Sequence, residues 1–527
     1  MHSLLPFLLA MIAVIVLLNI FAAKLKIAYP ILLVTGGLAI SFIPGLPVIK
    51  IDPDLIFFIF LPPLLFEAAW SISFKEMKKW WRIIGSFAFL VVFFTALSVA
   101  LVTNYYIPGF SIALGFLLGG IVSPPDAVST GAITKFVTIP KSTATILEGE
   151  SLLNDASSLI IFRFALVAVG TGQFAWQDAT MSFFWMVIGG ALIGLLVGWL
   201  FVKAHKILPT DAPSDIALTI IEPYLMYWIA EQLHSSGVLA VVAGGLYMSA
   251  RRLKFLNSTS RIHAYSVWES LIFILNGIVF LIIGLELPEI VDGLKENQIP
   301  LQTAIGYGVL VTAILISARM ISSYIALIFT MIFRPGVQPH ASSRRRRWMM
   351  PLLLGWTGMR GVVSLAAALA IPVTLSNGEA FPHRNLILFI TFVVILLTLL
   401  VQGLTLPYII KRTGFFDGIY NEDNEALTKQ KIKKDLKKHI HEFLKSKYEN
   451  ELEKHSGLEV FLKQWEERAK AGDDSWMNDR TKIIFIEMLE VQREYLSELN
   501  KDPEINEEII RQQLLQIDLE EERLKMI

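Results

Sequence analysis

The sequence predicts an all-α polytopic membrane protein, with thirteen transmembrane helices followed by a charged helical cytoplasmic tail. Three observations predict it. The 527 residues have a mean hydropathy of +0.57 with only 17% charged, too apolar for a soluble chain of this length. Thirteen apolar stretches recur between residues 4 and 410. Lys and Arg gather in alternate connections between those stretches.

The stretches lie at 4–21, 27–44, 54–72, 82–103, 109–133, 143–170, 179–202, 215–233, 236–250, 268–286, 300–333, 348–372 and 385–410. Most reach the roughly 20 residues that cross about 30 Å of hydrocarbon as helix. Helix is required because lipid offers the backbone no hydrogen-bond partner. The first stretch, Leu4 to Phe21, has no basic segment before it and is read as a retained span rather than a cleaved signal. Stretch 236–250 is the shortest of the thirteen.

Connections after odd-numbered stretches, counting Arg82 at the edge of the fourth stretch, hold 21 Lys and Arg, whereas those after even-numbered stretches hold three: Lys50, Lys295 and Arg384. Retention of basic residues in the cytoplasm then puts the N-terminus outside the cell membrane and the tail inside. A single miscounted span would have scrambled this alternation. Residues 1–412 carry 27 basic against 19 acidic residues, and 413–527 carry 19 against 27, so the zero net charge hides two regions. The first is a transmembrane domain and the second a solvated cytoplasmic region. In the tail, opposite charges at helical spacing run through Lys429–Lys447 and Glu487–Lys525, and Ile483, Ile484, Phe485, Leu489 and Tyr495 supply an apolar face. With no cysteine, a disulfide framework, thiol catalysis and a Cys-ligated metal are excluded.

In secondary transporters the substrate site lies where interrupted helices meet near the midplane. Two stretches qualify. The fifth contains Gly119-Gly120-Ile121-Val122-Ser123-Pro124-Pro125-Asp126, whose prolines remove donors and obstruct the preceding turn. The twelfth contains Gly355-Trp356-Thr357-Gly358-Met359-Arg360-Gly361, three glycines around a cation. If stretches one to six and eight to thirteen are inverted six-helix repeats, these two breaks correspond. Glycine and proline also serve ordinary packing in membrane helices, but Asp126 and Arg360 at the breaks are charges that need a partner or a task.

The sixth stretch contains Glu148-Gly149-Glu150-Ser151-Leu152-Leu153-Asn154-Asp155-Ala156-Ser157-Ser158. At about 100° per residue, Glu150, Asn154, Ser158, Ser151 and Asp155 share one sector, at roughly 0°, 40°, 80°, 100° and 140°. Every one of these side chains carries oxygen, the donor type that matches a hard cation such as Na⁺. A polar interhelical seam is the alternative, and the two carboxylates favour the ion site. Glu150 and Arg360 are expected to form a buried structural ion pair. That leaves Asp155 as the carboxylate for which a proton and a cation compete. If only one of them binds at a time, and the empty carboxylate is costly to move across the barrier, the two fluxes are coupled. Asn154 is uncharged beside Asp155, so one group titrates and one-for-one electroneutral exchange is expected.

These residues resemble the cation:proton antiporter superfamily, in particular bacterial sodium/proton antiporters of the NhaP type and the related animal exchangers. Glu150-Ser151-Leu152-Leu153-Asn154-Asp155 looks like the family's ion-binding helix, and Leu61-Pro62-Pro63-Leu64-Leu65-Phe66-Glu67 is similar to the third-span motif of the animal exchangers. Gly358-Met359-Arg360-Gly361 is similar to a family motif whose arginine pairs with the glutamate matching Glu150. Ser236 to Leu246 looks like the family's ninth span. The similarity runs from about residue 5 to 412. It implies a thirteen-span inverted-repeat fold with crossed broken helices, a homodimer and an elevator-like movement of the ion-binding bundle. Where relatives often have a hydroxyl residue before Asp-Pro, this chain has Pro125-Asp126-Ala127, so a ligand from that position must be a backbone carbonyl, with Ser123 as compensation.

The expected function is therefore exchange of Na⁺ for H⁺ in pH and sodium homeostasis, with Asp155, Glu150, Ser151, Asn154 and Asp126 around the cation, and Ser123, Ser158 and Glu67 as secondary candidates. Li⁺ or K⁺ in place of Na⁺, and a cation-coupled symporter of an organic solute, are the alternatives. No catalytic residue, no cofactor beyond the transported Na⁺ and H⁺, and no nucleic acid is expected, the partners being the lipid bilayer and a second copy. Glu222, Glu269 and Glu286 lie in or near spans, and Arg163 and Arg319 are expected in structural roles. Arg344 to Arg347 are expected to anchor the twelfth span's cytoplasmic end, and His205 and His263 to be solvated loop residues.

Overall fold

The computed structural model describes residues 4–43, 53–126, 129, 131, 141–172, 176–296, 299–333, 344–375, 378–413, 422–454, 479–502 and 505–526. Within these the chain is helical, and its one β feature is an isolated bridge between Thr374 and Ala380. Contacts divide it into two units: residues 1–209, 217–255 and 268–419, and residues 210–216, 256–267 and 420–527.

The first unit holds the apolar helices. In chain order these are α1 (Leu4–Leu25), α2 (Tyr29–Ser41), α3 (Pro53–Ser71), then α4 (Phe74–Gly85) and α5 (Val92–Tyr106), joined into one rod by a π-helical turn at Ser86–Val91. There follow α6 (Ile112–Val122), α7 (Lys141–Thr171), α8 (Trp176–Ile207), α9 (Ala212–Gln232) and α10 (Gly237–Ser249). After the short α11 (Arg252–Phe255) come α12 (Ser258–Leu285), α13 (Leu287–Glu296) and α14 (Leu301–Phe333). The last group is α15 (Arg344–Trp356), α16 (Val362–Leu369), α17 (Arg384–Leu397) and α18 (Gly403–Thr413), the final two joined by a second π-helical turn at Thr398–Gln402. Among the described residues, seven helical segments are long and apolar enough to cross a membrane, and four shorter apolar helices accompany them. Lys50 and the Arg344–Arg347 side chains lie outside the described residues.

The rod Phe74–Tyr106 is longer than the apolar stretch 82–103. Ser73 accepts a hydrogen bond from the Glu76 amide at 3.1 Å and caps a basic amphipathic beginning. There the Arg82 guanidinium lies 5.3 Å from the exposed Trp81 ring. Similar pairs join Lys203 to Trp199 at 4.7 Å, Arg251 to Tyr247 at 3.7 Å and Arg412 to Tyr408 at 5.7 Å. All four cations flank spans, where an aromatic body in the interface and a charged tip in water satisfy both media.

Lipid gives helices no hydrophobic reason to associate, so close approach of small residues must supply packing instead. A Cβ on Gly194 of α8 would overlap the Ala240 carbonyl oxygen of α10, and one on Gly284 of α12 would overlap that of Val34 in α2. α10 is short but almost wholly buried, so it needs no lipid-matched length.

The second unit is built from α19 (Glu422–Lys454), α20 (Asp479–Leu499) and α21 (Glu507–Met526) with residues 210–216 and 256–267. Its core includes Ile432, Leu436, Ile484, Phe485, Leu489, Leu496, Ile510 and Ile517, whereas Ile483 is exposed. His439 and Tyr495 stack with ring centroids 4.7 Å apart. Its polar centre is Asp518, which accepts from Arg261 Nε at 2.8 Å and from Arg493 Nη2 at 3.0 Å. Arg493 also reaches Glu521 at 2.6 Å, and Ser258 donates to Glu521 at 2.8 Å.

Candidate ion-binding site

A helix broken inside a membrane leaves carbonyls at one end and amides at the other without intrahelical partners, and each must be satisfied by protein. α6 stops at Val122, and helical conformation returns at Ser129 and Gly131. Between α15 and α16, residues 357–361 leave helix in the same way. The two breaks bind each other. The Asp126 amide donates to the Met359 carbonyl at 2.7 Å. From the other break, Arg360 Nε donates to the Val122 carbonyl at 2.8 Å and Nη2 to the Ser123 carbonyl at 3.4 Å, while Nη1 donates to Gly358 O.

Arg360 thus places a cation on the carbonyl end of α6, where the helix dipole is negative. Asp126 does the converse. Its carboxylate accepts from the Ser129 amide at 3.2 Å and hydroxyl at 2.6 Å, in the pattern of a helix N-cap. The glycines around Arg360 each admit a neighbour: a Cβ on Gly355 would come within 3.0 Å of Met320 Cα, one on Gly358 within 2.7 Å of Arg319 Cδ, and one on Gly361 would overlap the Asp126 carboxylate. Pro124, Pro125, Gly358 and Gly361 are all buried at this junction.

α7 passes beside the breaks and carries the oxygen-rich face. Glu150 is wholly buried, but its partner is not Arg360. It pairs with Arg319 of α14 through two bonds, Nη1 to Oε1 at 2.6 Å and Nη2 to Oε2 at 2.9 Å. The expected pair is therefore corrected: Arg360 is occupied by the carbonyls of the breaks, and Arg319, side-on to Gly358, presents its planar fork to the carboxylate.

The remaining members of the face divide in use. Asn154 Nδ2 donates to the Pro125 carbonyl at 3.2 Å, tying α7 to the first break, while its Oδ1 is buried with no hydrogen-bond partner among the described residues. The Ser158 hydroxyl turns back to the Asp155 carbonyl at 3.0 Å, and that of Ser157 to the Asn154 carbonyl at 2.9 Å. Ser151 is buried one turn before Asp155, and the buried Ser123 hydroxyl has no partner among the described residues. Asp155 itself is 8% exposed. No described cation pairs with its carboxylate, and the charged group acting on it is the like-charged Asp126. Glu67 is half-buried on α3. The Ser71 hydroxyl donates to Ala68 O at 3.1 Å, and Ser73 caps α4.

One further expectation changes. His205 is not a solvated loop residue: α8 runs past the apolar stretch to Ile207, and His205 lies buried 2.9 Å from Glu222 of α9, with its ring 5.1 Å from that of Phe255. Arg163 pairs with Glu231 at 2.6 Å. His263 and Glu269 are exposed, and Glu286 is half-buried between α12 and α13. Thr398, in the second π-helical turn, was not among the expected residues, yet its Oγ1 accepts from the Arg360 amide at 3.2 Å. The signal was its place in a series of polar residues, Thr391, Thr398, Gln402 and Thr405, within an otherwise apolar span.

A family profile described as "Sodium/hydrogen exchanger, transmembrane" matches residues 10–412. The chain is 29% identical over 539 aligned residues to a Mycobacterium tuberculosis protein named as an uncharacterized Na⁺/H⁺ exchanger, covering 98% of this chain and 95% of that one. It is 33% identical to the low-affinity Na⁺/H⁺ antiporter NhaS1 of Synechocystis, over 73% of this chain and 69% of that protein. It is equally similar, at 33%, to a sodium, potassium, lithium and rubidium/H⁺ antiporter of Bacillus subtilis, over 71% of this chain and 56% of that protein. Among solved structures, the sodium proton antiporter MjNhaP1 of Methanocaldococcus jannaschii shares the fold with a TM-score of 0.58 at 21% identity, covering 76% of this chain and 99% of that one. The broken, mutually bonded helices and the match across residues 10–412 have one conclusion: the chain belongs to the sodium/hydrogen exchanger family.

Proposed function

We propose that this chain is a secondary antiporter of the cell membrane that exchanges Na⁺ for H⁺, with both ions competing for Asp155. One observation carries the reading. At the junction of the breaks Glu150, Arg319, Arg360 and Asp126 are each engaged by a protein partner, whereas no described cation neutralises Asp155. A bare carboxylate in a low-dielectric interior costs several kcal/mol. Binding either H⁺ or Na⁺ removes that cost, so the occupied bundle crosses and the empty one does not. The Pro125 carbonyl region, Ser151, Asn154, Ser123 and Glu67 are the remaining oxygen donors for the cation, with Ser158 behind them. Asp126 serves chiefly to cap the helical conformation that returns at Ser129. One titrating carboxylate beside an uncharged Asn154 supports one-for-one, electroneutral exchange.

The accompanying architecture is thirteen spans in two inverted repeats with the breaks crossing at the midplane, the N-terminus outside, the tail in the cytoplasm and two copies per assembly. A broader cation range is the second reading, favoured by the name of the Bacillus subtilis relative, which includes potassium, lithium and rubidium. Proteoliposomes with an imposed pH gradient, challenged separately with Na⁺, Li⁺, K⁺ and Rb⁺, test both. Wild type should dissipate the gradient with Na⁺, and Asp155→Asn should not with any of the four; cation-driven proton movement surviving in Asp155→Asn would overturn the mechanism.

A further inference from the structure

Each break is held by a side chain from a helical segment further along the chain. At the first, Asn154 of α7 donates to a carbonyl, Pro125 O, at 3.2 Å. At the second, Thr398 accepts from an amide, that of Arg360, also at 3.2 Å. The hydroxyl can do this because it has a donor to spare: it donates to the Ile395 carbonyl at 3.2 Å while its lone pairs face the break. Thr398 is fully buried and opens the π-helical turn Thr398–Gln402. A widened turn of this kind shifts side chains out of the regular α-helical register, a device that recurs at functional sites.

We propose that Thr398 is a positioning residue for exchange, fixing the second break so that the first presents its oxygens correctly to the cation. The path is short. Thr398 holds the Arg360 amide, the adjacent Met359 carbonyl receives the Asp126 amide at 2.7 Å, and Pro125 is the next residue along. Arg360 also holds the carbonyls of Val122 and Ser123. Loss of the hydroxyl leaves a buried amide without its acceptor, inside a segment where no helical carbonyl can replace it. The break must then move to satisfy itself, and Pro125 and Ser123 move with it. The proposal rests on the Asp155 site described above.

The test is Na⁺-dependent dissipation of a pH gradient in proteoliposomes, with turnover and apparent KM measured separately. Thr398→Val keeps the shape and removes the hydroxyl; Thr398→Ala is a second loss variant should the first not fold. Either should raise the apparent KM for Na⁺ about five-fold or more in protein that remains monodisperse, the size expected for one net hydrogen bond. Thr398→Ser should restore it to within two-fold. Thr95→Val removes a buried hydroxyl that bonds only its own helix, at Val91 O, and should leave KM unchanged. A wild-type KM in both loss variants, or a fall in folded protein with KM unmoved, overturns the proposal. Asp155→Asn in the same vesicles separates the two readings. If it still exchanges, the ion site is wrong; if it is inactive while Thr398→Val behaves as wild type, only the positioning role fails.

Discussion

Glu150 and Arg319 face each other through two parallel hydrogen bonds of 2.6 and 2.9 Å, with side chains no more than 2% exposed. This pair joins α7 to α14, two helices that flank the breaks, and it does so beside a second buried guanidinium, that of Arg360. Two arginines and one glutamate would leave a cation stranded were it not for the carbonyls of Val122, Ser123 and Gly358, which receive Arg360. The division of labour is physical: the full negative charge takes the planar fork, and the partial charges of a helix end take the other cation.

Removing one partner should therefore be far worse than removing both. Glu150→Gln or Arg319→Met leaves a buried uncompensated charge and should cost about 3–5 kcal/mol, whereas the double variant should recover much of the loss. Thermal unfolding of the four detergent-solubilised proteins closes the cycle. Additive losses, with the double variant destabilised by the sum of the two singles, would mean that the two side chains do not interact. Arg319→Lys should not substitute, because an ammonium cannot make both bonds.

Gly361→Ala should abolish most exchange with little loss of folded protein. A Cβ there overlaps the Asp126 carboxylate, which must swing away and release the Ser129 amide and hydroxyl. Shifting the first break by about 1 Å is enough to misplace its oxygens, so a fall of roughly a hundred-fold in turnover is expected. Gly306→Ala is the control, since nothing lies within 4 Å of its Cβ position. The comparison is made in proteoliposomes at matched protein content.

How much of this was written in the sequence depends on whether a local rule decides the outcome. Pro124-Pro125 and the glycines at 355, 358 and 361 announce breaks because they act on their own backbone, and both breaks stand where expected. Asp155 is legible for the same reason, as a carboxylate in an apolar helix. The partner of Glu150 is not, because Arg319 and Arg360 are both intramembrane cations and only the rotation of α14 chooses between them. Thr398 escapes notice because a threonine in a helix ordinarily spends its hydroxyl on the preceding turn, as Thr95 does at Val91 O. His205 was misplaced by a boundary: hydropathy fades at residue 202, while the helix continues to Ile207 and buries the imidazole against Glu222.

The crossing of α8 and α10 should be the least tolerant packing in the first unit. Gly194→Ala puts a methyl into the Ala240 carbonyl, a backbone atom that cannot rotate aside. Separating the helices costs about 1–3 kcal/mol in the thermal stability of the purified protein, with exchange per folded molecule unchanged because the site residues lie on other helices. Gly170→Ala, where the Cβ meets nothing within 4 Å, should not move the unfolding midpoint.

In the second unit Asp518 is the residue on which stability turns. It is 4% exposed and receives both Arg261 and Arg493, and Arg493 in turn binds Glu521. Asp518→Asn keeps the shape but leaves two guanidiniums with one full negative charge fewer, an imbalance worth about 3 kcal/mol when the groups are largely buried. The exposed pair of Lys501 with Glu498, each 70% exposed, offers the contrast, since screening leaves such pairs about 0–1 kcal/mol. Amide hydrogen exchange on the full-length protein resolves the two. Asp518→Asn should speed exchange in α21 and in residues 258–261 together by about a hundred-fold, because Arg261 and Ser258 are bound to the same helix through Asp518 and Glu521. Glu498→Gln should leave both segments as they were. Faster exchange in α21 alone would mean that the helix is held by its apolar face, with Ile510 and Ile517 in the core, and that the ionic cluster contributes nothing to docking residues 256–267.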